Sequence, residues 1–558
     1  MKKAVETKRK PQPASPVKTN LRLLRGWFPL LWFAIAGFLL FGITIGFDYT
    51  FMDDLTLVKN QMEAFKSSRA ISGAFTDDAF HLPQGKRFYF RPVLTLSFIA
   101  DARIGGGSFA MYHFSNIAYH ILATFLLFLL FMGFGFERIR SFIFGMIFLV
   151  HPLATQAVAW VPGRNDSLLA ICILGSFIFW IRYMQKGKAQ DLVIHLALFF
   201  MSLLTKENAI VLPVLAVGYT IVRFRKPAGF FLLPAAGWII TLFLWIVLRQ
   251  QALGGGGITS YLALAHSVLI NLPGIMPYLG KAFFPFDLSV FPILADMKGS
   301  FVLGIVAFAL LAALVVYTRP KQWFWYFFGS AWFLAFLLPS FISVNTLVRD
   351  FSEHRGYLPL AGLLLFVLAT GPVIKADFTR RVPLLVMAGV ILLYGFLTFR
   401  HTRFFHDRFT FWQNALKTSP SHAFNANNLG AMYFLEGDFV HAEKYFRRAL
   451  ELNPQEPMAN SNTGLVCMNT ERPAEAEQYY LEEIRINPTY EDAYYNLGLL
   501  YARYSRIEEA LPQWEKILTI NPAHNDAYKM LLYTYEKLQR TDDYNRILGM
   551  ARANGIQP

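Results

Sequence analysis

The sequence predicts an all-α protein in two parts: a polytopic transmembrane helical domain, then an α-solenoid of stacked helix pairs. Composition is the first reason. Of 558 residues, 55% are hydrophobic and only 16% charged, a balance outside the range of ordinary soluble domains. The apolar residues gather, between Trp27 and Phe399, into runs long enough to cross a ~30 Å hydrocarbon core. Periodicity is the second reason. Beyond that point Pro420, Pro454, Pro488 and Pro522 recur every 34 residues, and Gly430, Gly464 and Gly498, like Ala442, Ala476 and Ala510, keep the same step.

Residues 1–26 read as a basic cytoplasmic N-terminus, 27–399 as the multi-span domain with outer loops at 48–111 and 249–299, and 400–558 as the repeat domain. The basic start followed by an apolar run has the charge order of a signal peptide. The run is too long for one, and Gly46-Phe47-Asp48 offers no small-residue cleavage site, so a retained first helix is expected. Eleven spans are expected, near 27–47, 112–133, 141–158, 166–182, 191–205, 208–222, 229–248, 300–317, 323–341, 357–372 and 383–399.

With the N-terminus inside, every inward loop is basic: Arg138 and Arg140; Arg182, Lys186 and Lys188; Arg223, Arg225 and Lys226; Arg319 and Lys321; Lys375, Arg380 and Arg381. The outward loops receive the clustered acidic, His and amide residues, and an odd number of crossings carries the repeats outward as well. The net charge of +15 belongs to the membrane half, since acidic residues outnumber basic ones from Arg400 onward. It reports orientation, not a nucleic-acid partner. Cys172 and Cys467 lie in different halves and imply neither a disulfide framework nor a metal cluster. A bacterial inner membrane, with the repeats on the periplasmic side, is the expected location.

Asn428-Leu429-Gly430 with Tyr433, Ala442, Phe446, Ala449 and Pro454 resembles the tetratricopeptide repeat, two helices packed through small residues. Full copies follow at 457–489 and 490–523, and a fourth from Asn525 replaces the glycine by Leu532, as a terminal cap does. Trp412, Ala415 and Pro420 fit the second helix of an incomplete first repeat. Positions lining the concave groove in that family fall on Asn427, Ala431, Phe434, Ser461, Tyr495 and Arg503, for which an extended peptide is the natural ligand. Tyr445, Phe446, Tyr480 and Trp514 read as core.

Asp53 and Asp54 follow the first span by a few residues, which pins two carboxylates at the outer membrane surface. Such a carboxylate can take the proton of an attacking hydroxyl, and its neighbour's charge raises the pKa of one of the pair. An Asp pair is equally common as a helix cap. Its company is more specific: Phe90-Arg91-Pro92, Tyr112-His113-Phe114-Ser115-Asn116, His151-Pro152 through Gly163-Arg164-Asn165-Asp166, Lys206-Glu207-Asn208, and Glu353-His354-Arg355-Gly356-Tyr357-Leu358-Pro359, in that order. With the first-loop Asp pair and the repeats, these resemble the transmembrane and tetratricopeptide-repeat-containing O-mannosyltransferases and their bacterial relatives, over nearly the whole chain.

The resemblance implies a GT-C fold and transfer of a hexose, mannose or another, from a polyprenyl-phosphate donor at the non-cytoplasmic face to protein Ser or Thr hydroxyls. It implies Asp53 or Asp54 as the base, with Arg91, His151, Arg164, Asp166, Lys206 and Glu207 around the site and Glu353, His354 and Arg355 on the donor side. Gln156, where relatives often carry Glu, and His354, where an Arg commonly follows the Glu, depart from the pattern. A lipid phosphate needs cationic donors, for which Arg91, Arg164 and Arg355 are the candidates. The same arginines also fit interfacial snorkelling or structural ion pairs. A divalent metal could bridge the Asp pair and phosphate, but no convincing ligand set is present. Gly254 to Gly257 are not followed by Lys-Ser or Lys-Thr, so a nucleotide loop is rejected, and 250–300 reads as a mobile flap. An oligosaccharide ligase or polymerase of the same superfamily, or a non-enzymatic membrane scaffold, are the alternatives.

Overall fold

The computed structural model describes residues 24–80, 89–254, 261–342 and 351–556, and every regular element among them is helical. The basic residues Lys2 to Arg22 and the glycines Gly255 to Gly257 lie outside the described residues.

Among the described residues, seven helical segments have the length and apolarity to cross a membrane: Phe28–Gly46, Phe109–Gly133, Val161–Lys186, Ala228–Leu253, Lys298–Tyr317, Trp323–Phe341 and Arg381–Phe405. An eighth is formed if Arg138–Leu149 and Pro152–Ala159, bent by 54° at His151, count as one broken span. The protein is a multi-pass membrane protein on this ground. The other three expected spans are the helices Ala189–Leu203, Leu212–Arg223 and Tyr357–Leu368, of 15, 12 and 12 residues. At 1.5 Å per residue they rise only about 18–22 Å, short of a ~30 Å core. Eleven full crossings are therefore not confirmed: a short apolar helix gives the same sequence signal as a true span. Tyr357–Leu368 has nearly every side chain buried.

Close helix contacts replace a hydrophobic driving force inside such a bundle. A Cβ on Gly329 would stand 2.6 Å from the Gly362 carbonyl oxygen, so Trp323–Leu337 and Tyr357–Leu368 touch backbone to backbone. The basic loops meet at one end. Arg138 donates to the Leu24 carbonyl, Arg140 to those of Ile374 and Ala376, and Arg223 lies over the Trp325 ring.

The motif-bearing segments occupy the opposite end, and the repeat array attaches there. Arg381–Thr402 passes through the turn Arg403–Phe405 directly into Arg408–Thr418, whose start is fixed by a capping box between Asp407 and Thr410. Phe405, Phe411 and Trp412 are buried in one cluster with Phe47, Trp160 and Val290, so the array's position rests on packing and not on the parity of crossings. The described residues of 250–300, the stretch expected as a mobile flap, are largely helical. They include the helices Tyr261–Asn271 and Ile275–Phe283, and their last part is hydrogen-bonded to the array.

The array repeats one contact. A Cβ on Gly430, Gly464 or Gly498 would come closer than 3.0 Å to the ring of Phe446, Tyr480 or Trp514, each sixteen residues onward. These three aromatics are buried; Tyr445 is half-buried and stacked on Tyr433.

Candidate functional site

Six segments distant in sequence converge where the bundle meets the array. They enclose a cavity of about 250 Å³ lined by Asp53, Arg91, Asp166, Lys206, His354 and Arg355, together with Tyr89, Gln156, Trp160 and Phe291. The polar residues lie at helix starts. Asp53 opens Asp53–Leu57, Arg91 precedes Pro92–Ile104, Asp166 is in the first turn of Arg164–Lys186, and His354 and Arg355 precede Tyr357–Leu368. Helix N-termini direct partial positive charge and backbone N–H groups outward, which adds to the side-chain cations. Three cationic side chains, Arg91, Lys206 and Arg355, face two carboxylates, Asp53 and Asp166.

The cavity's charges are held in place by one another. Lys206 Nζ pairs with Asp166 Oδ1 at 2.7 Å, and His354 Nε2 stands 4.0 Å from Asp166 Oδ2. Burial holds the Lys206 ammonium below its ordinary pKa, with Asp166 opposing that shift. Arg91 lies 4.8 Å over the Tyr89 ring and 3.7 Å from Glu207 Oε2; with the Asn165 amide turned so that its oxygen faces Arg91, the guanidinium also donates there at 3.2 Å. Glu207 does not line the cavity and meets it through Arg91.

Within each motif some residues face the cavity and others brace it. Asp54 is 1% exposed; its carboxylate accepts from Thr50 N at 2.5 Å, Thr50 Oγ1 at 3.0 Å and Met52 N at 2.9 Å. Burial outweighs those bonds and pushes its pKa up. The turn it closes holds Phe51 at φ 64°, a left-handed conformation that bulky residues avoid. Arg164 is fully buried, donating to Asp101 at 2.6 Å, to Asn116 Oδ1 at 2.7 Å and to the Tyr112 carbonyl at 2.7 Å. It does not line the cavity. His151 is also buried, with one ring nitrogen accepting from Leu153 N and the other 2.9 Å from the Ala282 carbonyl oxygen. Glu353 is 1% exposed and pairs with Lys281 at 2.8 Å.

Of the groove positions, Asn427 and Ser461 are buried within the array. Asn427 accepts from Asn462, and the Ser461 N–H donates to Glu483. Phe434 and Tyr495 are half-buried and Arg503 is exposed. Tyr89, Trp160 and Phe291 were not singled out from sequence. Trp160 sits inside the His151–Asp166 motif run and could have been; Phe291 enters only through tertiary contact. Among the described residues no group of three or more His, Cys, Asp or Glu could hold a metal ion.

The tetratricopeptide-repeat family matches residues 427–456 and 491–524. Protein O-mannosyl-transferase Tmtc1 of Drosophila melanogaster is 31% identical over 146 residues, 26% of this chain and 17% of that protein. Protein O-mannosyl-transferase TMTC1 of Homo sapiens is 27% identical over 139 residues, 24% of this chain and 16% of that protein. The matched stretch therefore spans less than a fifth of either relative. Among solved structures, that of MamA covers 26% of this chain and 89% of its own at 22% identity, with a TM-score of 0.24. Together the named relatives and the repeat matches support the family of transmembrane and tetratricopeptide-repeat-containing O-mannosyltransferases.

Proposed function

We propose that the chain is a membrane glycosyltransferase that moves a hexose, mannose by its relatives' names, from a polyprenyl-phosphate donor to Ser or Thr hydroxyls of a protein presented by the repeat array. The observation that carries this reading is the one cavity holding both Asp53 and the cations Arg91, Lys206 and Arg355. The acceptor oxygen attacks the anomeric carbon and gives its proton to the Asp53 carboxylate. The bond from that carbon to the phosphate oxygen breaks, and the phosphate leaves with the electron pair. Its negative charge is met by the three cations and the converging helix N-termini. Asp54 serves by holding the turn that aims Asp53. The cavity opens on the non-cytoplasmic face in this reading, because the basic loops gather at the far end of the bundle.

The test is transfer from a polyprenyl-phosphate hexose to a Ser/Thr peptide by the purified full chain in lipid. Asp53→Asn is expected to lower kcat by about 10²–10⁴-fold, the usual contribution of a general base. Unchanged transfer in that variant would remove Asp53 as base, and no transfer by the parent protein to any hydroxyl peptide would remove the function.

A further inference from the structure

We propose that Lys281, Glu353 and Gln156 are positioning residues that join the cavity's cationic wall to the first helix of the repeat array, so that both move as one body. The inference deepens the transferase reading and rests on it for its catalytic consequence. The connecting element is the segment 287–296. On its membrane side, Glu353 Oε1 accepts from Lys281 Nζ at 2.8 Å and from Ser289 N at 2.9 Å. Lys281 Nζ also donates to the Asp287 carbonyl. His401 Nε2 stands 3.4 Å from Glu353 Oε2, inside ion-pairing distance though not aligned for a hydrogen bond. Gln156 binds both partners at once. Its Nε2 donates to the Val290 carbonyl at 3.2 Å, and its Oε1 accepts from the backbone N–H of His354 at 3.1 Å.

On its other side the same segment is held by the array. Val290 N donates to Asn414 Oδ1, Ile293 N to Ser419 Oγ, and Ser421 Oγ to Asp296, while the Ser289 and Thr418 hydroxyls meet at 2.6 Å. Phe291 lines the cavity and also stacks on His422, ring centroids 5.6 Å apart and planes 9° apart. Lys281 and Glu353 are each 1% exposed. A buried ion pair is a poor source of net stability, but its geometry is strict because either charge alone is unsupported. That strictness suits a fixed spacing between His354 and Arg355 in the cavity and the helix Arg408–Thr418 that begins the array. An acceptor held by the repeats is then presented at a set distance from the donor phosphate.

The experiment is amide hydrogen exchange by mass spectrometry on the full chain in lipid nanodiscs, with variants approached from both sides. Lys281→Met is expected to speed exchange by about tenfold at 287–296, at 352–356 and at 408–422 together, leaving 525–553 unchanged. Asn414→Ala, on the array side and without any buried charge, is expected to speed exchange at 352–356. Lys281→Arg should restore the parent pattern. A change confined to the neighbourhood of each substitution, or a uniform rise through all repeats, would overturn the proposal; if Lys281→Met does not fold, Asn414→Ala decides it. In the transfer assay, the positioning role predicts a fall of about 10²-fold in kcat, the scale of a 1 Å misplacement, with the acceptor KM little changed. Absence of transfer in the parent protein would sink the transferase reading while the exchange result still judged the mechanical link.

Discussion

Two sets of charged residues lie within a few residues of each other in the chain and do opposite work. Asp53, Asp166, His354 and Arg355 face a cavity; Asp54, Arg164 and Glu353, their sequence neighbours, are buried and bonded within the protein. The braced members hold the helix starts on which the cavity-facing members sit. In these three motifs a cavity-facing residue is one or two positions from a buried, bonded one. A substitution in the braced set should therefore read out as stability, and one in the cavity set as transfer.

The strongest separation is expected at Arg164. Arg164→Met leaves Asp101 buried with Ser115 as its remaining side-chain partner and removes donors from Asn116 and the Tyr112 carbonyl. The cost should be about 3–5 kcal/mol, as for a buried pair broken on one side, seen as loss of folded protein in detergent melting. An Arg164→Met protein that melted like the parent yet lost transfer would put Arg164 in the cavity set after all.

How much of this was legible follows from the same split. The motifs around Asp53, Asp166 and Arg355 stand out in sequence because clustered charge at the edge of apolar runs is conspicuous. Which member faces the cavity does not stand out, since a carboxylate with three donors and one with a substrate look alike in one dimension. Arg164 and His151, expected at the site, are buried beside it for that reason. Phe291 and Lys281 carried no signal because their significance lies in contacts across more than a hundred and across seventy-two residues, respectively. The three short helices read as spans because apolarity reports burial in protein and in lipid equally, and at 15, 12 and 12 residues they leave the count of eleven unconfirmed.

Glu353 gives the braced set a pH signature. Burial pushes its carboxyl up, but Lys281 and His401 outweigh burial and hold it at about 2 against an ordinary 4.5. A carboxyl held below its unfolded value lends stability that is complete above the ordinary 4.5 and is lost as pH falls through that value toward about 2. Melting temperature should fall progressively across that interval, and less steeply in Glu353→Gln, which starts lower at neutral pH and has no proton to take up. Parallel acid profiles for the two proteins would show that the Lys281 pair does not govern this end of the bundle.

A smaller effect separates the two adjacent aspartates. Asp54→Asn leaves a buried amide where three donors expect a carboxylate, at a cost of about 1–3 kcal/mol, and loosens the turn that holds Phe51 at φ 64°. Melting should drop and transfer fall with it. Asp53→Asn should cut transfer with melting displaced by roughly 0.5 kcal/mol or less. Equal melting losses in both would mean that neither aspartate is chiefly a ligand to the reaction.

The array offers the gentlest comparison, because there the sequence period and the packing are the same fact. Gly464 is required by the Tyr480 ring: a Cβ would stand 2.7 Å from it, and Tyr480 is fully buried with no room to yield. Gly464→Ala should cost about 1–3 kcal/mol by overpacking. Gly549 lies in the helix Thr541–Ala553 with nothing within 4 Å of its would-be Cβ. There the same substitution only removes the entropy penalty of glycine in a helix, and Gly549→Ala should stabilise by up to about 1 kcal/mol. Opposite signs for one chemical change, read by melting of the full chain, tie the 34-residue step to helix contact. If both glycines responded alike, the step would reflect helix propensity alone, and the close packing of each repeat would have to come from elsewhere.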